Sequence, residues 1–137
     1  MIEFYSISDF RRQVIRLLKK KEYSEVEKEI KNEFKGKTIE DIRINRGILV
    51  RETGFFKIIK LRLSDKKRNL SKSNGYRLIY LVFKNKEMVI FLFVYPKRGN
   101  MGIITVSEQT IKCHLGQFLK EKEKNLLQQY NILSDEN

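Results

Sequence analysis

Hydrophobic positions along this chain change period three times, and each change predicts an element. Residues 2–7 suit a short strand. Phe10, Val14, Leu17 and Leu18 then repeat on one stripe of a 3.6-residue period, which predicts a helix capped by Ser8 or Asp9 and running to about Lys21. Ser24 and Glu27 have capping-box spacing, so a second helix is expected from Ser24, with Tyr23, Val26, Ile30 and Phe34 along one face and Gly36 as its stop. Residues 37–53 fit either a strand or a helical turn, because Ile39, Ile42, Ile44, Ile48 and Leu49 follow no single period and Gly47 interrupts both.

From Lys57 to Leu63 the period becomes two. Ile59, Leu61 and Leu63 face one side while Ile58, Lys60 and Arg62 face the other. Gly75 to Phe83 and Met88 to Tyr95 are apolar at nearly every position, as central strands are, and the KNKE linker between them predicts a hairpin that Pro96 closes. Asp65 to Asn74 reads as a polar connection too charged to pack. Thr105 and Glu108 repeat the capping-box spacing and predict a last helix with Val106, Ile111, Leu115, Phe118 and Leu119 inward. Helices, then a meander of strands, then a helix define an α+β class: a compact antiparallel sheet of about four strands, with one face covered and one open. A single domain over residues 1–119 is expected, followed by a charged C-terminal extension over 120–137.

Composition narrows the setting. A chain of 137 residues with 41% apolar side chains supports one packed core. A lone cysteine, Cys113, excludes an internal disulfide framework and fits a reducing compartment. The N-terminal residues lack the basic start and apolar run of a signal peptide, and Met88 to Tyr95 is too short to span a bilayer, so a cytoplasmic protein without a membrane partner is expected. Charge changes the picture more. Of the net +12, +10 lies between Gly54 and Arg98, where twelve Lys or Arg meet only Asp65 and Glu87. Positive charge laid over a rigid sheet is a footprint for a polyanion such as nucleic acid.

The sequence offers few catalytic groups. His114 and Cys113 are neighbours, which on a helix point about 100° apart, and no zinc, magnesium or phosphate-loop motif is present. No metal or cofactor is expected. Arginine, lysine and tyrosine remain, and these suffice for cleavage of RNA by its own 2′-hydroxyl. That reaction needs an oriented nucleophile, stabilised phosphoryl oxygens and two proton transfers. Arginine forks bind phosphate, and a lysine crowded by cations can lose its proton near neutrality. Lys60, Arg62 and Arg77 are the first candidates.

Four segments in order, KLRL (Lys60 to Leu63), SKSNG (Ser71 to Gly75), YRLIY (Tyr76 to Tyr80) and a strand ending at Tyr95-Pro96-Lys97-Arg98, resemble the RelE/HigB superfamily of bacterial type II toxins, in particular its HigB-like branch. The resemblance covers roughly residues 5–119. It implies a ribosome-dependent mRNA endonuclease held in check by a cognate antitoxin, with ribosome and mRNA as further partners. It also implies Lys60, Arg62, Arg77 and Arg98 as catalytic residues, with Lys97 the neighbouring alternative to Arg98. Lys57, Lys66, Lys67, Arg68, Lys72, Lys97 and Tyr95 are the expected RNA-binding positions, the loop cations forming a clamp. Ile103 and Ile104 stand where some relatives carry a tyrosine, so either Tyr76, Tyr80 or Tyr95 replaces it or base stacking is weaker. Two other functions compete: a ParE-like gyrase poison on the same fold, and a non-catalytic RNA- or DNA-binding module.

Overall fold

The computed structural model describes residues 1–44 and 47–133. The chain is α+β, built on one six-stranded sheet. The strands are β1 (Glu3–Ser6), β2 (Ile48–Glu52), β3 (Phe56–Leu63), β4 (Tyr76–Phe83), β5 (Met88–Pro96) and β6 (Gln128–Gln129), in spatial order β2-β3-β4-β5-β1-β6. The helices are α1 (Ser8–Leu18), α2 (Val26–Phe34), α3 (Ile39–Arg43) and α4 (Glu108–Glu123), with a single 3₁₀ turn at Lys21–Tyr23.

Two features depart from the expected four-stranded antiparallel sheet. The sheet has six strands, and it is mixed, because β1 runs parallel to β5. The first strand enters beside the last long one, and β6 then covers its outer edge. Neither pairing is visible in a short segment's own pattern. The ambiguous stretch after Lys37 divides into α3, with a capping box between Thr38 and Asp41, and the edge strand β2. Of that stretch, residues 45–46 lie outside the described residues, as do residues 134–137 of the C-terminal extension.

The helix starts also differ from expectation. No side chain of Ser8 or Asp9 caps α1. The Glu121 carboxylate, at the far end of α4, accepts from the Ser8 amide (3.0 and 3.1 Å) and from the Ser8 hydroxyl (2.7 Å). A carboxylate at a helix N-terminus satisfies orphan donors and complements the dipole. Helix α2 begins at Val26 without the Ser24 box, and Ser24 instead receives the Lys67 ammonium at 2.6 Å. Helix α4 is capped by Ser107 on the Thr110 amide (3.1 Å), two residues beyond Thr105. On α4 it is His114 and Glu121 that join Ile111 and Phe118 in the interior, while Leu119 is exposed.

Both sheet faces carry helices, not one. Phe91 stacks on Phe10 of α1 (5.4 Å) and meets Phe34 of α2 edge-on (5.3 Å), whereas Phe93 stacks on His114 of α4 (4.7 Å). Residues two apart on a strand normally share a face. Here the β4–β5 register shifts so that Ile79 pairs with Phe93 and Tyr80 with Phe91, leaving Leu92 as an extra residue. That bulge sends Phe91 and Phe93 to opposite faces. The α4 layer covers Phe83 and Phe93 and leaves the Arg62 end of its face open.

The Asp65–Asn74 connection packs despite its charge. Asp65 is fully buried, bridges to Leu70, and pairs with Arg68 at 2.6 Å. Glu29 of α2 accepts from the Lys66 amide at 2.7 Å. Two acids, one of them distant in sequence, thus fold the first half of the loop onto the α1–α2 face.

Candidate nucleic-acid interface

Strand register assembles the site. Lys60 pairs with Ile79, and Arg62 with Arg77, across β3–β4; Arg77 in turn pairs with Tyr95 across β4–β5. Lys60, Arg62, Arg77 and Tyr95 therefore share the α4 face, at the end that α4 does not reach. Lys97 follows one step beyond the β5 terminus. Its ammonium pKa is pulled below 10.5 by burial first, then by Arg77, Lys60, Arg98 and Arg62. Among the described residues every charged group acting on Lys97 is a cation, so Lys60, Arg62, Arg77, Lys97 and Arg98 form one positive cluster.

The members differ in what their side chains can do. Arg62 is exposed and Lys60 half-buried. Arg77 is only 5% exposed and donates through Nη1 to the Lys72 (2.9 Å) and Tyr76 (3.1 Å) carbonyls and through Nη2 to Ser73 (2.8 Å). Its pKa is lowered by burial and then by Arg62. Both terminal nitrogens of Arg77 thus bond to the Ser71–Asn74 turn. Arg98 binds the same turn through Asn74 Oδ1 (3.1 and 2.9 Å), and the Lys97 amide donates to the Gly75 carbonyl (2.8 Å). Gly75 is required there, since a Cβ would collide with the Leu63 carbonyl oxygen. The Lys97 ammonium donates to the Ile104 carbonyl, which anchors it at the rim.

The aromatic candidates are enclosed. Tyr76 and Tyr80 lie on the α1–α2 face, where Tyr80 donates to the Ile42 carbonyl at 2.8 Å and Tyr76 meets Tyr23. Tyr95 is on the cationic face but 1% exposed, and burial raises its hydroxyl pKa. None of the three presents a ring on which a base could stack. Ile104, at the expected tyrosine position, is 81% exposed and offers only an apolar surface.

The remaining RNA-binding candidates divide between the faces. Lys57 is on the α1–α2 face and donates to the Arg43 carbonyl (3.4 Å). Lys66 and Lys67 follow the loop towards α2, and Arg68 lies over the Tyr23 ring at 4.8 Å. Only Lys72 returns to the cluster, where it lines a cavity of about 490 Å³ with Lys60 and Arg62. Lys37 and Glu33 also line that cavity and were not among the sequence candidates. Lys37 sits between two helices, where no strand or motif pattern marks it.

Among the described residues no three His, Cys, Asp or Glu side chains gather as metal ligands, and no helix is long and apolar enough to cross a membrane. No protein-family model matches the chain, and no curated protein matches it.

Proposed function

We propose that this chain is a toxin of the RelE/HigB kind: a ribosome-dependent mRNA endonuclease that needs no metal and is neutralised by a cognate antitoxin. The observation that carries the reading is the convergence of Lys60, Arg62 and Lys97 on one open sheet end, with no carboxylate among the described residues acting on Lys97. Of the two basic residues after β5, Lys97 is the better proton carrier, because the cations around it favour its neutral amine. In this scheme Lys97 Nζ takes the 2′-hydroxyl proton and the 2′-oxygen attacks phosphorus. Lys60 and Arg62 stabilise the phosphoryl oxygens, and the P–O5′ bond breaks to leave a 2′,3′-cyclic phosphate, the departing 5′-oxygen taking its proton from solvent water. Arg77 and Arg98 hold the turn that backs the site.

The test is expression of the wild type and of Lys60→Ala, Arg62→Ala and Lys97→Ala, with mapping of mRNA ends on translating ribosomes. The proposal expects new ends with the wild type and their loss in the variants. Growth arrest with intact transcripts would sink it. One observation favours a second reading, a non-catalytic nucleic-acid-binding module: the guanidinium of Arg77 is committed to carbonyls and Tyr95 is buried. That reading expects salt-sensitive RNA binding and no cleavage product.

A further inference from the structure

Strand β2 begins at Ile48, opposite Lys60, while β3 continues to Leu63, and along this edge of β3 lies a notch lined by Lys60, Leu61 and Arg62. The space enclosed is about 490 Å³, the size of a small-molecule pocket.

The lining has a definite chemistry. Lys60, Arg62 and Lys72 stand on the side of the cationic cluster, Ile48 and Leu61 form an apolar floor, and Lys37 with Glu33 closes the helical side. Ile48 is 54% exposed, a surface a sugar or base could cover. Glu33 holds Lys37 at 2.6 Å and is the sole carboxylate among the described residues of the lining. The notch thus offers cations at one end, an apolar floor, and an acceptor at the other.

We propose that this notch is a nucleotide subsite, in which single-stranded RNA leaving the cluster turns over the sheet edge. A phosphate sits among Lys60, Arg62 and Lys72. The sugar and base lie over Ile48 and Leu61, and a hydroxyl or base N–H donates to Glu33. Lys37 holds that carboxylate in place. The assignment rests on the reading of the cluster as an RNA site.

The test uses the full chain and a fluorescent hexanucleotide RNA with 2′-fluoro sugars, which cannot supply the attacking hydroxyl. Anisotropy is read across a salt series for wild type, Lys37→Ala and Ile48→Asp, with circular dichroism as the check on folding. Both variants should bind about tenfold more weakly, as expected for loss of one charged or floor contact. Amide resonances of Gly47, Ile48 and Arg62 should move on titration with the RNA. Wild-type affinity in both variants, or displacement of the RNA by polyglutamate of equal charge, would overturn the subsite. Cleavage of natural mRNA at the wild-type rate by both variants would remove the subsite and leave the toxin reading standing. Weakened binding in the variants, with no cleavage by the wild type, would do the reverse.

Discussion

Arg62 and Arg77 are directly opposite each other across β3–β4, one exposed and the other buried against the carbonyls of Lys72 and Ser73. Like charges in cross-strand register repel, by about 0.2–1 kcal/mol. The pair is held because Arg77 gains hydrogen bonds that Arg62 does not share. Arg62→Ala should therefore leave stability unchanged or raise it by that amount while weakening RNA binding. Arg77→Ala should lower stability by about 1–3 kcal/mol, because it strips the turn of its donors. Urea denaturation of both variants separates the roles, and equal losses would contradict them.

Lys97 provides the corresponding titration. Burial and then Arg77, Lys60, Arg98 and Arg62 lower its pKa beneath the usual 10.5. The folded protein thus gives up this proton before the unfolded chain does. Lys97 therefore disfavours folding while protonated, and stability rises with pH from its folded pKa up to about 10.5. Carbon-13 NMR of the Lys97 Cε should show the depressed midpoint, and Arg62→Ala should move it upward. A midpoint indifferent to Arg62 would separate Lys97 from the cluster.

His114 carries a second pH dependence, unrelated to the site. Its ring stacks on Phe93 at 4.7 Å and its Nδ1 lies 3.3 Å from Asp9 Oδ2. Burial lowers its pKa below 6.5, and the opposing pull of Asp9 does not make up the difference. The unfolded chain therefore binds this proton first as pH falls. Stability should decline from about pH 6.5 down to the folded pKa and level off below it. Melting curves between pH 7.5 and 5 should show this decline in the wild type and a shallower one in His114→Gln.

Much of the cationic cluster was legible in sequence, because strand alternation alone places Lys60 and Arg62 on one face and Arg77 opposite Tyr76 and Tyr80. What escaped was set by distant partners. The parallel β1–β5 pairing, the Glu121 cap on Ser8 and the folding of Asp65 onto Arg68 and Glu29 depend on contacts that no local period encodes. The bulge at Leu92 was hidden for another reason. In a run apolar at every position, one extra residue leaves the pattern unchanged while exchanging the faces of Phe91 and Phe93. The same loss of contrast concealed that Tyr95 would be buried.

The segment after α4 belongs to this core. Gln128–Gln129 extend the sheet beside β1, the Tyr130 amide donates to the Phe4 carbonyl at 2.8 Å, and the Tyr130 ring packs against Phe91 (5.1 Å) and Phe10 (5.6 Å). Its hydroxyl donates to Glu27 at 2.8 Å, tying the C-terminal segment to α2. Tyr130→Ala should cost about 3–5 kcal/mol, the usual loss for truncating a buried aromatic ring. Tyr130→Phe keeps the ring contacts and should cost about 1 kcal/mol, the worth of one hydrogen bond. Truncation after Lys124 should destabilise at least as much as the alanine variant, since it also removes Ile132 from the core. A truncated protein that melts like the full chain would show that residues 1–124 fold without this segment, and the Tyr130 contacts would then be incidental to stability.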